Sequence, residues 1–331
     1  MPSDTPTIES SLADMPKREW LRAVEAVAEE DGYFQSLGKR HFSAFIERDS
    51  TLLVTFETYQ GMHALSDKAQ PLGWDMVRNH DWSHLCLASD GDTWFRAEEV
   101  YAYFDRLIDD GFFDEFEQVL FYGAGPCAYA AAAYSVASPG AAVVAIQPQA
   151  TLNPRLTEWD DRFTDMRILD FTSRYGYAPD MLDAAERVFV LYDPKETLDA
   201  MHAALFTRPN VTKLRMPYMG DALQTDLLEI DQLDPLLQAA ADGTLDATRF
   251  AALYRARRDY LPYLRNLSQA INAQGREMLL EAVCANVSSR MSAPRFARRL
   301  ERMRARRQAR KAEAATATGW VFNLAHAPAL C

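Results

Sequence analysis

The residues best able to do chemistry in this sequence form a glycine-rich turn, Gly123-Ala124-Gly125-Pro126-Cys127-Ala128. The apolar run before it, residues 118–122, is typical of a buried strand, and the alanine-rich run 127–137 is typical of a helix. A sharp turn between a strand and a helix serves two chemistries. It exposes a nucleophile on strained backbone, or it brings backbone amides to the phosphates of a dinucleotide.

The sequence of the turn matches the dinucleotide-binding pattern G-x-G-x-x-G/A. The next predicted strand, residues 141–147, ends at Gln147, whereas a dinucleotide site needs an Asp or Glu there to hold a ribose hydroxyl. Cys127 is a third candidate, because a helix N-terminus lowers the pKa of a thiol. A buried structural cysteine is the simpler interpretation of Cys127.

Three segments around the turn follow a recognisable frame. They are Phe121-Tyr122-Gly123, Tyr129-Ala130-Ala131, and the stretch from Pro139-Gly140-Ala141 to Gln147-Pro148-Gln149. In this frame, and in the order of the later strands and polar residues, residues 42–225 resemble the α/β-hydrolase superfamily, chiefly its bacterial members. The resemblance implies a nucleophile at position 125, an acid at Asp193 and a histidine at position 221.

The chain departs from that pattern at three functional positions. Gly125 stands at the nucleophile position and Asp221 at the histidine position. Pro126, which comes directly after the nucleophile position, has no N–H to donate to an oxyanion. Losing a single oxyanion donor costs about 10²–10³ in rate. We therefore predict no catalytic residues here, and interpret Gly125, Asp193 and Asp221 as degenerate triad positions.

The predicted function is a non-catalytic binding or scaffold role, with an unidentified protein or small molecule as partner and with no cofactor and no metal. Two enzymatic alternatives remain open: an oxidoreductase that binds a dinucleotide at Gly123–Ala128, and a hydrolase-fold enzyme with relocated catalytic groups. The name phosphoadenosine-phosphosulfate reductase, which similar sequences sometimes carry, is not supported, because the SGGKDS loop and the ECG-x-H cysteine motif are absent.

Pocket candidates lie where predicted strands end, since open α/β sheets bind ligands there. The candidates are Gly123, Pro126 and Cys127 at the turn, Asp90, Asp92 and Trp94 after an earlier strand, and Trp159 within residues 153–163. An Asp-Gly turn that caps the next helix is the simpler interpretation of residues 90–92. A surface loop explains residues 153–163 equally well.

Charge is distributed unevenly along the chain. Residues 295–311 hold nine basic residues and one acid, so this stretch carries +8 and, because the total is −12, the remainder carries −20. Such an acidic body repels nucleic acid, which leaves the basic helix as the only region expected to meet an anionic partner. Its arginines fall on several helical faces, and we predict partner binding through Arg298, Arg299, Arg302 and Arg306.

Strands alternating with helices up to about residue 225 predict a doubly wound, mostly parallel α/β sheet, which the resemblance assigns to the α/β-hydrolase type. The predicted organisation is a disordered lead-in (1–14), the α/β domain (15–225), a helical C-terminal region with a basic last helix (226–311) and a tail (312–331). The absence of an apolar leader, of an 18-residue apolar run and of paired cysteines predicts a reduced, cytoplasmic chain without a membrane span.

Overall fold

The computed structural model describes residues 6–324, with side chains as far as residue 314. The chain divides into two compact units, Met1–Ala256 and Arg257–Cys331.

The first unit is built on a sheet of eight strands in the order β1-β2-β4-β3-β5-β6-β7-β8. The strands are β1 Gly32–Leu37, β2 His41–Ile46, β3 Thr51–Thr58, β4 Ser83–Ser89, β5 Gln118–Ala124, β6 Ala142–Ile146, β7 Arg187–Tyr192 and β8 Val211–Arg215. The pairs β1–β2 and β2–β4 are antiparallel, and every other neighbouring pair is parallel.

Helices connect the strands and continue beyond them. They are α1 Lys17–Glu30, α2 Tyr59–Leu65, α3 Gly73–His80, α4 Glu98–Asp109, α5 Pro126–Tyr134, α6 Pro154–Thr157, α7 Thr197–Leu205, α8 Leu223–Glu229, α9 Leu233–Ala241, α10 Ala247–Leu253, α11 Leu261–Ala273, α12 Glu277–Arg290 and α13 Pro294–Leu324. Short 3-10 turns lie at Phe112–Glu115, Ser135–Ala137, Thr164–Ile168, Ala178–Leu182 and Tyr254–Asp259.

Helices cover both faces of the sheet. On one face α4 and α5 bury a core that includes Phe56, Phe104 and Phe121, and on the other α1 and α3 pack through Trp20 and Trp74. Parallel strands buried on both faces are the arrangement that connecting helices produce. The prediction of a doubly wound, mostly parallel sheet with a helical C-terminal region is confirmed.

Strand pairing was less predictable than the strands themselves. The segments on either side of the turn at residues 47–50 form β2 and β3, but these two strands do not pair with each other. β4 lies between them, antiparallel to β2 and parallel to β3. β1 was not predicted, and its residues are mostly half-buried because the strand lies at the edge of the sheet.

The described part of the lead-in is ordered rather than disordered. Leu12 is fully buried, and its amide donates to the Lys68 carbonyl. The Ile8 carbonyl accepts hydrogen bonds from Gln70 and Arg78. An apolar anchor and three long-range hydrogen bonds therefore hold this segment on the first unit, and residues 1–5 lie outside the described residues.

The boundary between the units also lies later than the predicted residue 225. Helices α8, α9 and α10 belong to the first unit, where α9 contacts β5 and β6. Leu236 and Leu237 of α9 are buried, which explains why this helix belongs with the sheet. α13 does not end at residue 311 but continues to Leu324, and the rest of the predicted tail, residues 325–331, lies outside the described residues.

The second unit is a bundle of α11, α12 and α13 around its own small core. Leu264, Leu280, Cys284, Phe296 and Leu300 are buried in it. Gly275, at φ +67°, allows the tight turn between α11 and α12. None of the helices among the described residues is both long enough and apolar enough to cross a membrane.

Candidate functional site

The turn after β5 has the strained geometry that displays a nucleophile, although its central residue is a glycine. Gly125 lies at φ 57°, ψ −125°, a conformation that costs other residues about 1–3 kcal/mol. A Cβ at this position would meet nothing within 4 Å. The turn therefore leaves open space, as far as the described residues show, where a side chain at position 125 would begin.

Pro126 and Cys127 begin helix α5. Pro126 is at the first helical position, where a missing N–H is no loss to the helix, but an oxyanion would find no donor there. The Cys127 thiol is buried, and burial raises its pKa. A raised pKa disfavours the thiolate, so the structure opposes the interpretation of Cys127 as a reactive thiol.

Asp193, the predicted acid, is hydrogen-bonded to backbone amides. Both carboxylate oxygens of buried Asp193 accept amide hydrogen bonds, Oδ1 from Lys195 and Oδ2 from Gly220, each at 2.8 Å. These bonds join the end of β7 to the loop after β8. Asp221 comes next on that loop with an exposed side chain. The predicted triad positions Gly125, Asp193 and Asp221 thus follow β5, β7 and β8, and none of them is a serine, a cysteine or a histidine.

A cleft of about 380 Å³ opens above the turn. It is lined by Ala124, Gly125, Pro126, Gln147, Gln149, Arg162, Phe163, Asp199, Asp221, Ala222, Gln224 and Thr225. Gln149 is 2% exposed, and its Oε1 has no hydrogen-bond partner among the residues that the structure describes. An unpaired buried acceptor costs about 1–3 kcal/mol, which a ligand with a donor group would recover.

A chain of polar contacts fixes one wall of the cleft. Arg162 Nη1 donates to Asp199 Oδ1 at 2.7 Å, and Gln147 Nε2 donates to Asp199 Oδ2 at 2.7 Å. Gln147 also donates to the Asp221 carbonyl and accepts from the Leu223 amide, both at 3.1 Å. Four separate segments of the chain therefore meet at this wall, and they hold Gln147 at the unusual φ of +52°.

Buried His202 is engaged at both ring nitrogens. Its Nδ1 accepts from the Ala150 amide at 3.1 Å, so its Nε2 carries the proton and donates to Asp160 Oδ2 at 2.8 Å. Burial opposes ionisation of Asp160, but hydrogen bonds from His202 and Arg162 outweigh it and hold the pKa of Asp160 below its usual range. Neither nitrogen of His202 is free to act as a base in the cleft.

A second polar cluster, which was not predicted from the sequence, lies between neighbouring strands β3 and β4. Thr55 Oγ1 donates to Glu57 Oε1 at 2.7 Å and contacts His84 Nε2 at 2.9 Å. The ligand atoms of Glu57, His84 and Cys86 lie within 4.8 Å of one another. The Thr55 hydroxyl already bridges Glu57 and His84, so we interpret the cluster as a hydrogen-bonded network. Its signal was polar residues at i, i+2 on two buried strands.

We expect Glu57 to make stability depend on pH. Burial raises the pKa of Glu57 from its ordinary 4.5 to about 7, so the folded chain binds a proton that the unfolded chain releases. Ionisation of Glu57 therefore costs stability progressively from about pH 4.5 to pH 7, by at most about 3 kcal/mol. Glu57→Gln removes this pH dependence. The free energy of unfolding of the variant, relative to that of the natural chain, should therefore be higher at pH 8 than at pH 5.

Urea unfolding of both proteins at pH 5 and pH 8 measures this gain. Buried His84, whose pKa burial lowers to about 3, acts in the opposite direction below its ordinary value of 6.5. Because His84 is present in both proteins, its effect cancels when the variant is compared with the natural chain. An equal pH dependence in the two proteins would contradict the assignment to Glu57.

The other predicted pocket residues lie in three different settings. Trp94 is fully buried against Phe163, which removes it from contact with a ligand. Trp159 packs on the His202 ring at 4.6 Å between centroids. Asp92 is exposed, and Asp90 forms an ion pair with Lys17 and lines a separate groove. Of the predicted pocket residues, only Pro126 lines the cleft, together with Gly125 and Asp221 of the predicted triad positions; Gly123 and Cys127 are not part of its lining.

No protein-family model matches this chain, and no curated protein matches it. Among solved structures it is similar to the glycosylation-associated Gap123 complex of Streptococcus agalactiae (TM-score 0.42, 14% identity, 62% of this chain and 45% of that chain). It is also similar to Est1E of Butyrivibrio proteoclasticus (0.42, 9%, 62% and 97%) and to the metagenomic carboxylesterase EstE1 (0.36, 12%, 72% and 97%). The chain thus spans 45% of the length of the Streptococcus agalactiae chain.

The fold is of α/β-hydrolase type. The order of the strands, the strained turn after the central strand β5 and the acid directly after β7 all agree with that arrangement. This likeness concerns the fold, and fold by itself does not determine function.

Proposed function

We propose that this chain is a non-catalytic binding protein that holds a small polar ligand in the cleft above Gly125. The observation that carries the proposal is the intact turn itself: Gly125 keeps the strained backbone of a nucleophile, yet no side chain enters the space in front of it. That space adds to the cleft. A preserved geometry without its reacting group favours binding over acyl transfer.

The polar groups around the turn support the same interpretation. Covalent acyl transfer needs a nucleophile, a base and an oxyanion donor. Gly125 supplies no nucleophile, His202 has both nitrogens engaged, and Pro126 supplies no amide hydrogen. A base relocated to His202 would first have to break its bond to buried Asp160.

The lining of the cleft indicates the chemistry of the ligand. Gln149 Oε1 needs a hydrogen-bond donor, and Gln224 and Thr225 also line the cleft. Neutral amide and hydroxyl groups of this kind suit a ligand rich in hydroxyl groups. We therefore propose a neutral polyol or sugar-like ligand of a size that fits about 380 Å³.

Saturation-transfer NMR with monosaccharides and linear polyols as probes tests the binding. We expect the natural chain to bind at least one of them, and Gln149→Met to weaken its Kd about tenfold, as the loss of one hydrogen bond of about 1.4 kcal/mol implies. Gln118→Met is the matched control, because Gln118 is exposed at the opposite end of β5. Failure of every probe, or equal weakening by both variants, would overturn the binding proposal.

Hydrolysis of p-nitrophenyl acetate tests the non-catalytic part separately. We expect the natural chain and Gly125→Ser to stay at the buffer rate, since the serine would still lack a base and an oxyanion donor. Saturable turnover that survives Cys127→Ala would establish relocated hydrolytic chemistry. A flavin or nicotinamide absorbance in the purified protein would establish the oxidoreductase alternative instead.

A further inference from the structure

A groove in the second unit concentrates arginines beside apolar side chains. It encloses about 630 Å³ between α13, the first turns of α12 and the end of α11. We call it the arginine groove, and its lining residues from α13 are Arg295, Arg299, Arg302, Met303, Arg306, Arg307 and Arg310. From α12 and α11 it includes Glu277, Met278, Leu280, Glu281 and Asn272. The groove therefore belongs wholly to the second unit.

Five arginines of the groove form a stripe along α13, although the arginines of the whole helix fall on several faces, as expected. Arg295, Arg299, Arg302, Arg306 and Arg310 succeed one another at spacings of four, three, four and four, so they share one side of α13. Arg298 instead lines an adjoining hollow of about 350 Å³. At 1.5 Å per residue the stripe is about 22 Å long.

Four arginines of the stripe form no ion pair with any described residue. Arg304 and Arg307 pair with Glu281, and Arg310 pairs with Glu277. Across the part of the chain that the structure describes, no ion pair is formed by Arg295, Arg299, Arg302 or Arg306. Unpaired arginines along one line attract a partner with a matching line of anionic groups.

The groove also has an apolar component. Met278 is 64% exposed, Met303 is half-buried, and Leu280 lies beneath them. Exposed methionines adapt to different apolar surfaces and are common where helices dock. A partner therefore gains most if it presents carboxylates on one edge and aliphatic side chains on the other.

We propose that the arginine groove binds an acidic amphipathic helix of another protein. A helix of about 15 residues matches the length of the stripe, and its carboxylates at i, i+4 and i+7 would meet arginines at the same spacing. Nucleic acid fits less well, because none of the described residues that line the groove is aromatic and able to stack on a base. This inference is independent of the function proposed for the cleft.

Fluorescence anisotropy on the full chain tests the proposal with a labelled synthetic helix of about 15 residues, with Glu along one edge and Leu along the other. We expect binding by the natural chain and at least about tenfold weaker binding by Arg302→Glu/Arg306→Glu, since two attractive charges become repulsive. The matched control is Arg276→Glu/Lys311→Glu, which changes the charge equally outside the groove. We expect it to weaken binding by less than about threefold.

Two further peptides and one oligonucleotide test whether binding depends on the charges, on the apolar edge or on an affinity for nucleic acid. Replacing Glu with Gln, or Leu with Ser, in the peptide should each weaken binding, because both edges contribute. Equal binding of the Ser peptide, or tighter binding of single-stranded oligothymidylate, would overturn the proposal. Self-association of the natural chain that Arg302→Glu/Arg306→Glu abolishes would also overturn it, since the occupant would then be a second copy. Circular dichroism checks that each variant stays folded.

Discussion

Gly123→Ala is expected to lower the free energy of unfolding by more than about 3 kcal/mol, because the added methyl group has no space. A Cβ at Gly123 would lie 2.3 Å from the Cys127 carbonyl oxygen, 2.4 Å from its carbon and 2.8 Å from the Ala128 nitrogen. All three atoms belong to the backbone of α5. That helix is buried on every side from Ala128 to Tyr134, so it has little room to retreat from the strand.

Chemical denaturation measures this loss, and Gly125→Ala separates steric overlap from strain. The methyl group of Gly125→Ala enters open space, so this variant should lose only the strain of a positive φ, about 1–3 kcal/mol. If Gly123→Ala does not accumulate as soluble protein, proteolytic susceptibility at low temperature gives the same ranking. A smaller loss for Gly123→Ala than for Gly125→Ala would show that the strand and the helix tolerate separation.

Asp160→Ala is expected to cost about 3–5 kcal/mol of stability. The carboxylate is 2% exposed and accepts from His202 Nε2 at 2.8 Å, from Arg162 Nη2 at 2.8 Å and from Arg162 Nε at 3.0 Å. Its removal leaves the buried N–H of His202 without an acceptor. It also frees Arg162, which positions Asp199 at the wall of the cleft, so binding of any probe in the cleft should weaken too.

The neighbouring Asp161 provides the control for Asp160. Asp161 is exposed, so Asp161→Ala should change stability by less than about 0.5 kcal/mol. Combining Asp160→Ala with His202→Ala in a double-mutant cycle should show a coupling free energy above about 1 kcal/mol. Additive losses would mean that the contact between Asp160 and His202 contributes little, and that packing around Ala150 explains the cost of each variant.

These variants distinguish residues that stabilise the fold from residues that we propose bind a ligand in the cleft. Gly123 and Asp160 hold the backbone around the turn, whereas Gln149 is the residue whose Oε1 we propose contacts the ligand. A stability loss without loss of binding identifies the first role, and loss of binding at unchanged stability identifies the second. The arginine groove is tested independently, through charges on α13.

Several features could be predicted from the sequence because they depend on local residue types. The apolar run before Gly123 and the alanine-rich run after Pro126 indicate a strand and a helix wherever they occur. The alternation of strands and helices then restricts the sheet to a mostly parallel, doubly wound arrangement. The strand order was not accessible, because β2 and β3 both pair with β4 across large separations in the chain.

The sequence by itself determined which groups this turn lacks, since a glycine at position 125 has no nucleophile and a proline at 126 has no amide hydrogen in any fold. Only the tertiary structure decided which groups meet around it. Gln147, Arg162, Asp199 and Asp221 come from separate segments, and their convergence depends on the ends of parallel strands meeting at one edge of the sheet. The same holds for α13, where the packing of α11 and α12 selects which arginines face a groove.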